Sequence, residues 1–167
     1  MTTLTRKSFL SILMLVSLII AGCAETAKKQ DGGASLDDVG ASAALDLQGS
    51  SDENTAGPLQ TIFFDFDSSR LTSSAKTTLE QNSMWLKGAS SVDIQIEGHC
   101  DERGGQQYNL ALGERRAKAV KGYLEALGVS TSRISVISYG KEKPIAFGHD
   151  ESAWSKNRRA NFVITAK

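Results

Sequence analysis

The stretch from Val92 to Gly98 alternates strictly between apolar and polar side chains, in the order Val-Asp-Ile-Gln-Ile-Glu-Gly. Successive side chains of a β-strand point to opposite faces of the sheet, so this pattern predicts a strand with one buried face and one face in water. Helices that pack on such a sheet cover only one of its faces. The stretch therefore favours an α/β fold with two layers.

The other segments predict two main helices and three further strands. Strand–helix–strand units favour parallel neighbours with right-handed crossovers. The order β-α-β-α-β-β thus predicts a two-layer sandwich with a mixed four-stranded sheet and the helices on one face. The predicted strands span 62–67, 92–98, 134–139 and 159–166. The first predicted helix starts near Thr72 or Ser73 and is about 15 residues long, the second spans 109–127, and a short helix is expected near 151–156.

Residues 1–22 are predicted to be an export signal. Arg6 and Lys7 precede an apolar run over 9–20, which is shorter than the about 20 residues that span a bilayer and matches the apolar core of a signal peptide. Small residues then lead directly to Cys23, an arrangement that resembles the lipobox of bacterial lipoproteins. An ordinary signal peptide with an incidental cysteine is the alternative.

The lipobox resemblance implies that the signal is cut before Cys23, which then carries S-diacylglycerol and N-acyl groups. Three acyl chains anchor a protein firmly, whereas one holds it only marginally. Ala24 stands where an inner-membrane retention signal usually has Asp. The resemblance therefore implies an outer-membrane anchor with the rest of the chain facing the periplasm, and no other cofactor is expected.

Residues 23–58 are predicted to be a flexible acidic tether. They contain no aromatic residue, and two lysines stand against seven acidic side chains. Such a segment cannot bury enough apolar surface to offset the entropy of ordering it. The folded domain is therefore expected over 59–167, which is long enough for one core.

The composition of the whole chain excludes several classes of protein. Its 19 basic and 19 acidic side chains leave no basic excess to neutralise nucleic-acid phosphates. Its two cysteines are too few for a disulfide scaffold or a four-cysteine zinc site. There is no G-x-S-x-G nucleophile motif, and catalytic residues are not expected.

A basic residue interrupts the apolar stripe of the second helix. Arg116 lies four residues from both Leu112 and Val120, so it is expected to be partly buried and to need a carboxylate partner. Asp101 at the end of one strand is the expected partner, and Asp67 ends another strand. Parallel adjacent strands would bring both ends to the sheet edge where α/β proteins bind ligands.

Two interpretations of this pair stay open on residue chemistry alone. Asp101 and Arg116 could form a structural ion pair without a ligand. They could instead offer a carboxylate and a guanidinium to one zwitterion, whose carboxylate the arginine fork would bind through two hydrogen bonds.

Longer motifs favour the second interpretation. The segments 63–67, 98–104, 108–109, 112–117, 139–144 and 157–159 read FFDFD, GHCDERG, YN, LGERRA, YGKEKP and NRR. Together they resemble the OmpA-like peptidoglycan-binding domain, and within that family the lipid-anchored peptidoglycan-associated lipoproteins. The likeness spans almost all of 60–167.

The resemblance implies a binding protein with a defined ligand. Family members grip meso-diaminopimelate of the peptide stem through the residues that match Asp101 and Arg116, while those matching Asp67 and Asn109 line the pocket. Asn109 could equally be a helix N-cap. The family relation also implies TolB and the other Tol–Pal components as partners, and a role in envelope constriction during cell division.

Two other functions compete with a wall anchor. A wall hydrolase would use Asp67 and Asp101 as a carboxylate pair, although Arg116 nearby would lower their pKa values. A scaffold would depend mainly on protein partners.

Three smaller features complete the expectations. The run His99-Cys100-Asp101 is not expected to bind a metal, because adjacent strand residues point to alternate faces. Cys100 is expected to be a buried, inert thiol. The pair Arg158-Arg159 is expected to lie on the surface, as a basic rim or a solvated face.

Overall fold

A computed structural model describes residues 49–165. The predicted signal peptide, the lipidation site Cys23 and the tether up to residue 48 lie outside this range. Within 49–165, no helix has both the length and the apolar character to span a bilayer. The strands are β1 (Ile62–Phe63), β2 (Asp93–His99), β3 (Ile134–Gly140) and β4 (Arg159–Thr165); the helices are α1 (Ser73–Gly88), α2 (Gln106–Ala126) and α3 (Glu151–Asn157).

The predicted mixed four-stranded sheet is confirmed, with the order β1-β4-β2-β3. β2 and β3 pair in parallel, whereas β4 pairs antiparallel with both β1 and β2. The expectation that the first strand neighbours β2 is wrong, because β4 is inserted between them. Both run antiparallel to β4, however, so their carboxyl ends still meet at one edge of the sheet.

The first strand is shorter than predicted and ends at Phe63. Beyond it, the Phe64 N–H still donates to the backbone carbonyl of Arg158 at 2.9 Å, but two backbone carbonyls accept hydrogen bonds from arginine side chains. The carbonyl of Phe64 accepts from Arg158, and the carbonyl of Asp65 accepts from Arg116. The segment then turns at Asp67, whose φ of 51° lies in the left-handed region.

The core fills the space between the helices and one face of the sheet. Alternating residues of β2 and β4 meet apolar side chains of α1 and α2, as the period-2 and helical patterns predict. Its fully buried members include Leu79, Leu86, Ile94, Ile96, Val120, Leu124 and Phe162.

Two glycines bring α2 very close to the sheet. A Cβ atom at Gly98 would lie 1.9 Å from the carbonyl oxygen of Gly113, and one at Gly113 would lie 2.3 Å from the hydroxyl of Ser138. Only glycine permits this approach of helix backbone to strand backbone. Arg116, one turn after Gly113, is thereby held against the carboxyl ends of the strands.

Residues 49–58, which the sequence assigns to the tether, pack on the domain instead. Ser50 pairs with Val163 beside β4, and Ala56 is fully buried. The side-chain carbonyl of Asn161 accepts from the hydroxyls of Ser50 and Ser51 at 3.0 and 2.9 Å. Periodicity could not find this packing, since buried hydrogen bonds and not apolar side chains hold most of it.

We expect Asn161→Ala to lower the free energy of unfolding by about 2 kcal/mol, because it leaves several buried polar groups of this segment unpaired. Chemical denaturation measures the loss, and limited proteolysis should show earlier cleavage near residues 50–56. A Gln107→Ala change, at an exposed position in α2, serves as the control. Equal stability of the two variants would contradict the assignment of 49–58 to the domain.

Candidate functional site

A cavity of about 170 Å³ lies at the edge where the segment after β1 and strand β2 both end. The four residues that the sequence predicts as a binding site all line it. Its lining comprises Phe66, Asp67, Cys100, Asp101, Arg103, Gly104, Tyr108, Asn109, Leu112, Arg116 and Arg158. Three arginines and two aspartates face this space, which therefore carries one excess positive charge.

Arg116 is completely buried, as its position on the apolar stripe predicts. The expectation that it pairs with Asp101 is wrong. Its guanidinium donates to three backbone carbonyls, those of Ser68 at 2.8 Å, His99 at 2.8 Å and Asp65 at 3.0 Å. Carbonyl dipoles from three segments thus take the place of a carboxylate, and two of the five N–H groups are not used by these carbonyls.

The carboxylate of Asp101 is clamped by two other arginines. It accepts from Arg103 Nη2 at 2.7 Å and from Arg158 Nη1 at 3.3 Å, and also from the Arg103 backbone at 3.1 Å. Burial alone would raise the pKa of Asp101, but the hydrogen bonds from Arg103 and Arg158 outweigh it and hold the pKa below its ordinary value. Asp101 is therefore an ionised group at the floor of the cavity.

Sequence reasoning missed Arg103 and misplaced Arg158. The Arg103 guanidinium is stacked between two rings, 3.9 Å from the centre of Phe66 and 4.0 Å from that of Trp154. Arg158, expected on the surface, is only 5% exposed and also binds Glu151. The aromatic residues around the aspartate motif were the available signal for Arg103, but their meeting depends on tertiary structure.

Arg159 is buried as well, so the expected basic rim is absent from this part of the described chain. Its guanidinium lies 2.7 Å from Asp52 in the segment that packs beside β4. Arg158, the C-cap of α3, and Arg159, the first residue of β4, thus bind different carboxylates.

Asp67 and Asn109 also line the cavity, Asp67 as an exposed residue and Asn109 as a buried one. The phenolic hydroxyl of Tyr108 donates to Asp67, and this hydrogen bond raises the pKa of Tyr108. Asn109 is not the N-cap of α2, which is Gly105. Its side-chain amide donates to the carbonyls of Arg103 and Gly105 at 2.9 and 3.2 Å, so Asn109 holds the loop after β2 against the helix.

Cys100 is buried as expected and lies beside the cavity. Burial raises the pKa of its thiol, which keeps it protonated and unreactive. The thiol donates to the carbonyl of Asn109 at 3.4 Å.

The protonation of Asp101 links stability to pH. Its folded pKa lies below the ordinary value of 3.8, so its contribution to stability is complete above that value and is lost as the pH falls through the lower folded pKa. Between about pH 5 and about pH 2.5, we expect the wild-type free energy of unfolding to fall more than that of Asp101→Asn. Denaturant titrations at the two pH values measure the difference. Equal losses of unfolding free energy in the wild type and in Asp101→Asn would contradict a stabilising role for the contacts of Arg103 and Arg158 with Asp101.

Comparisons with known proteins give a consistent result. The model described as OmpA family matches residues 63–158. A peptidoglycan-associated lipoprotein of Mesorhizobium japonicum is 46% identical over 157 residues, covering 94% of this chain and 91% of the relative. One of Brucella melitensis is 42% identical over 158 residues, with 95% and 92% covered.

Solved structures agree with the sequence comparisons. The crystal structure of the peptidoglycan-associated lipoprotein from Burkholderia pseudomallei shares 45% identity and a TM-score of 0.61, over 63% of this chain and 89% of that one. The C-terminal domain of Helicobacter pylori MotB has a TM-score of 0.61 at 22% identity, over 65% and 85% of the two chains. The second likeness concerns the fold alone.

Proposed function

This chain belongs to the OmpA family and, within it, to the peptidoglycan-associated lipoproteins, and from that premise we propose that it ties the outer membrane to the cell wall by binding meso-diaminopimelate of the peptide stem. The chain is a structural protein of the envelope and not an enzyme. Its binding domain would be held to the outer membrane by acyl groups on Cys23 and would face the periplasm.

The cavity that contains Arg116, Asp101 and Asp67 carries this proposal. Diaminopimelate in a stem peptide keeps an ammonium and a carboxylate on one carbon at its free end. The carboxylate suits the arginine side of the cavity and the ammonium suits the two aspartates, because charge-assisted hydrogen bonds are the strong ones. Its excess positive charge favours a ligand with at least one carboxylate.

A hydrolase is disfavoured by the same geometry. Glycoside hydrolysis needs one carboxylic acid that stays protonated near neutral pH. The two arginines on Asp101 hold its pKa below the ordinary value, and Asp67 already accepts a hydrogen bond from Tyr108. Release of soluble muropeptides from purified sacculi would revive this alternative.

Co-sedimentation with purified sacculi tests the proposal. The lipoprotein in detergent should pellet with diaminopimelate-containing sacculi and should be released by a soluble tripeptide that ends in diaminopimelate. Sacculi from a species with lysine at that position provide the control. Equal pelleting with both kinds of sacculi would contradict diaminopimelate recognition.

Partnership with TolB and the Tol–Pal components belongs to the same proposal and rests on family membership. If wall and TolB share the charged cavity, soluble TolB should displace the protein from sacculi. Simultaneous binding of TolB and sacculi would place the partner surface elsewhere on the domain.

A further inference from the structure

Among the three arginines that line the cavity, Arg103 is the most accessible to water. Its side chain is 31% exposed, whereas Arg116 is completely buried and Arg158 is 5% exposed. Arg116 also uses three of its N–H groups on backbone carbonyls. A ligand that enters the cavity from solvent therefore finds its most accessible cation in the guanidinium of Arg103.

Both flat faces of this guanidinium are covered by aromatic rings. The centres of Phe66 and Trp154 lie 3.9 and 4.0 Å from its central carbon, and a planar guanidinium stacks well on such rings. The indole N–H of Trp154 donates to Glu102 at 2.9 Å, which fixes the ring. Hydrogen bonds to the guanidinium can therefore form only in its plane, at its edges.

One edge of the guanidinium is occupied and another is open. Asp101 accepts from Arg103 Nε at 3.2 Å and from Nη2 at 2.7 Å, so this pair uses two of the five N–H groups. The end of the guanidinium offers one N–H each from Nη1 and Nη2 in parallel, and no described residue accepts from them. The carboxylate of Glu151 lies 4.0 Å from Nη2, too far for a hydrogen bond.

The charge balance of the cavity leaves room for a second anion. The lining carries one positive charge more than it carries negative charges, and Glu151 outside it binds Arg158. The free end of diaminopimelate is zwitterionic, so its binding does not change this excess. A stem tripeptide has two further carboxylates, one at its C-terminus and one on the glutamate before diaminopimelate. Either of them would complement the excess charge.

We propose that the open edge of Arg103 binds a second carboxylate of the stem peptide, in addition to the zwitterionic end of diaminopimelate. The assignment rests on the proposed function of the cavity. A carboxylate in the plane of the guanidinium accepts two parallel hydrogen bonds, the arrangement that makes contacts between arginine and carboxylate specific. Arg103 would thus distinguish a stem peptide with a free carboxylate at this position from an amidated one.

Calorimetry with amidated stem tripeptides tests the assignment on the lipoprotein in detergent. Three forms of the diaminopimelate tripeptide are compared: the free acid, the carboxamide at the glutamate, and the carboxamide at the C-terminus. We expect at least one amide to bind the wild type about tenfold more weakly than the free acid, because it loses a charge-assisted pair of hydrogen bonds. The amide that is affected identifies the source of the second carboxylate.

Variants show whether Arg103 is responsible for the difference. Arg103→Gln weakens the contact with Asp101 and lowers the affinity for all three peptides, but the ratio between free acid and amide should fall below about threefold. Arg115 is exposed, so Arg115→Gln removes the same charge and should keep the tenfold ratio. If Arg103→Gln binds too weakly to titrate, Arg103→Lys replaces it, since lysine keeps the charge without the parallel N–H pair.

The outcomes separate this assignment from the proposed function. Equal affinity of the wild type for the free acid and both amides overturns the role of Arg103, although binding of the free acid still supports diaminopimelate recognition. A tenfold ratio that persists in the titrated Arg103 variant overturns it as well. Failure of the wild type to bind any of the three peptides contradicts the proposed function and this assignment together.

Discussion

Replacing Arg116 by alanine is expected to lower the free energy of unfolding by about 4 kcal/mol, because three carbonyls lose a charged donor in the protein interior. These carbonyls belong to Asp65, Ser68 and His99, so the change would release the segment after β1 and the end of β2 together. Equilibrium denaturation in urea measures the effect.

The neighbouring arginine provides a matched control. Arg115 is exposed, and Arg115→Ala should change the stability by less than about 0.5 kcal/mol. Arg116→Lys keeps the charge without the planar fork, so its free energy of unfolding should lie between those of Arg116→Ala and Arg115→Ala. If Arg116→Ala is as stable as Arg115→Ala, the hydrogen bonds of Arg116 to the three backbone carbonyls do not stabilise the domain. Wall binding by the folded fraction of Arg116→Lys then separates recognition from folding.

The second large effect is expected at Asp101. Asp101→Asn should weaken binding to sacculi by about 100-fold, because the ligand ammonium loses an anionic partner and two arginines, the buried Arg158 and the partly exposed Arg103, lose their counter-charge. The amide keeps an oxygen that can accept from the Arg103 backbone, so the loop should keep its conformation. Sedimentation with increasing amounts of sacculi measures the affinity.

A carboxylate-to-amide change outside the cavity controls for this experiment. Asp150 caps α3 through hydrogen bonds to Ser152 and Ala153, and asparagine caps helices equally well. Asp150→Asn should therefore bind sacculi like the wild type. An affinity of Asp101→Asn within about threefold of the control would show that Asp101 contributes little to recognition, since about 0.7 kcal/mol separates such values.

The sheet was predictable because periodicity encodes it directly. The alternation from Val92 to Gly98 identified β2, and the apolar stripe identified α2. The start of α2 at Gln106 was missed by three residues, since its N-cap is Gly105 and makes no side-chain cap hydrogen bond. The insertion of β4 between β1 and β2 was not predictable from strand–helix–strand order, because a long connection that includes the short helix α3 separates the last strand from β3.

The four site residues were predicted from motifs, and the structure places them around one cavity. Their roles in wall binding stay predictions. The partners of each charge were not predictable: Arg116 binds carbonyls, whereas Arg103 and Arg158 hold Asp101. Sequence spacing indicates which residues share a face, but backbone carbonyls leave no pattern in a sequence. The burial of Arg158 and Arg159 was missed because it depends on ion pairs with Asp101 and Asp52, which are distant in the sequence.

Isothermal titration with two stem tripeptides tests the account most directly. One ends in meso-diaminopimelate and the other in lysine, which keeps the side-chain ammonium but lacks the adjacent carboxylate. The account predicts saturable binding of the first and at least about 100-fold weaker binding of the second, since the buried arginine side of the cavity would lose its anion. Equal affinity for the two peptides, or no binding of either, would contradict it.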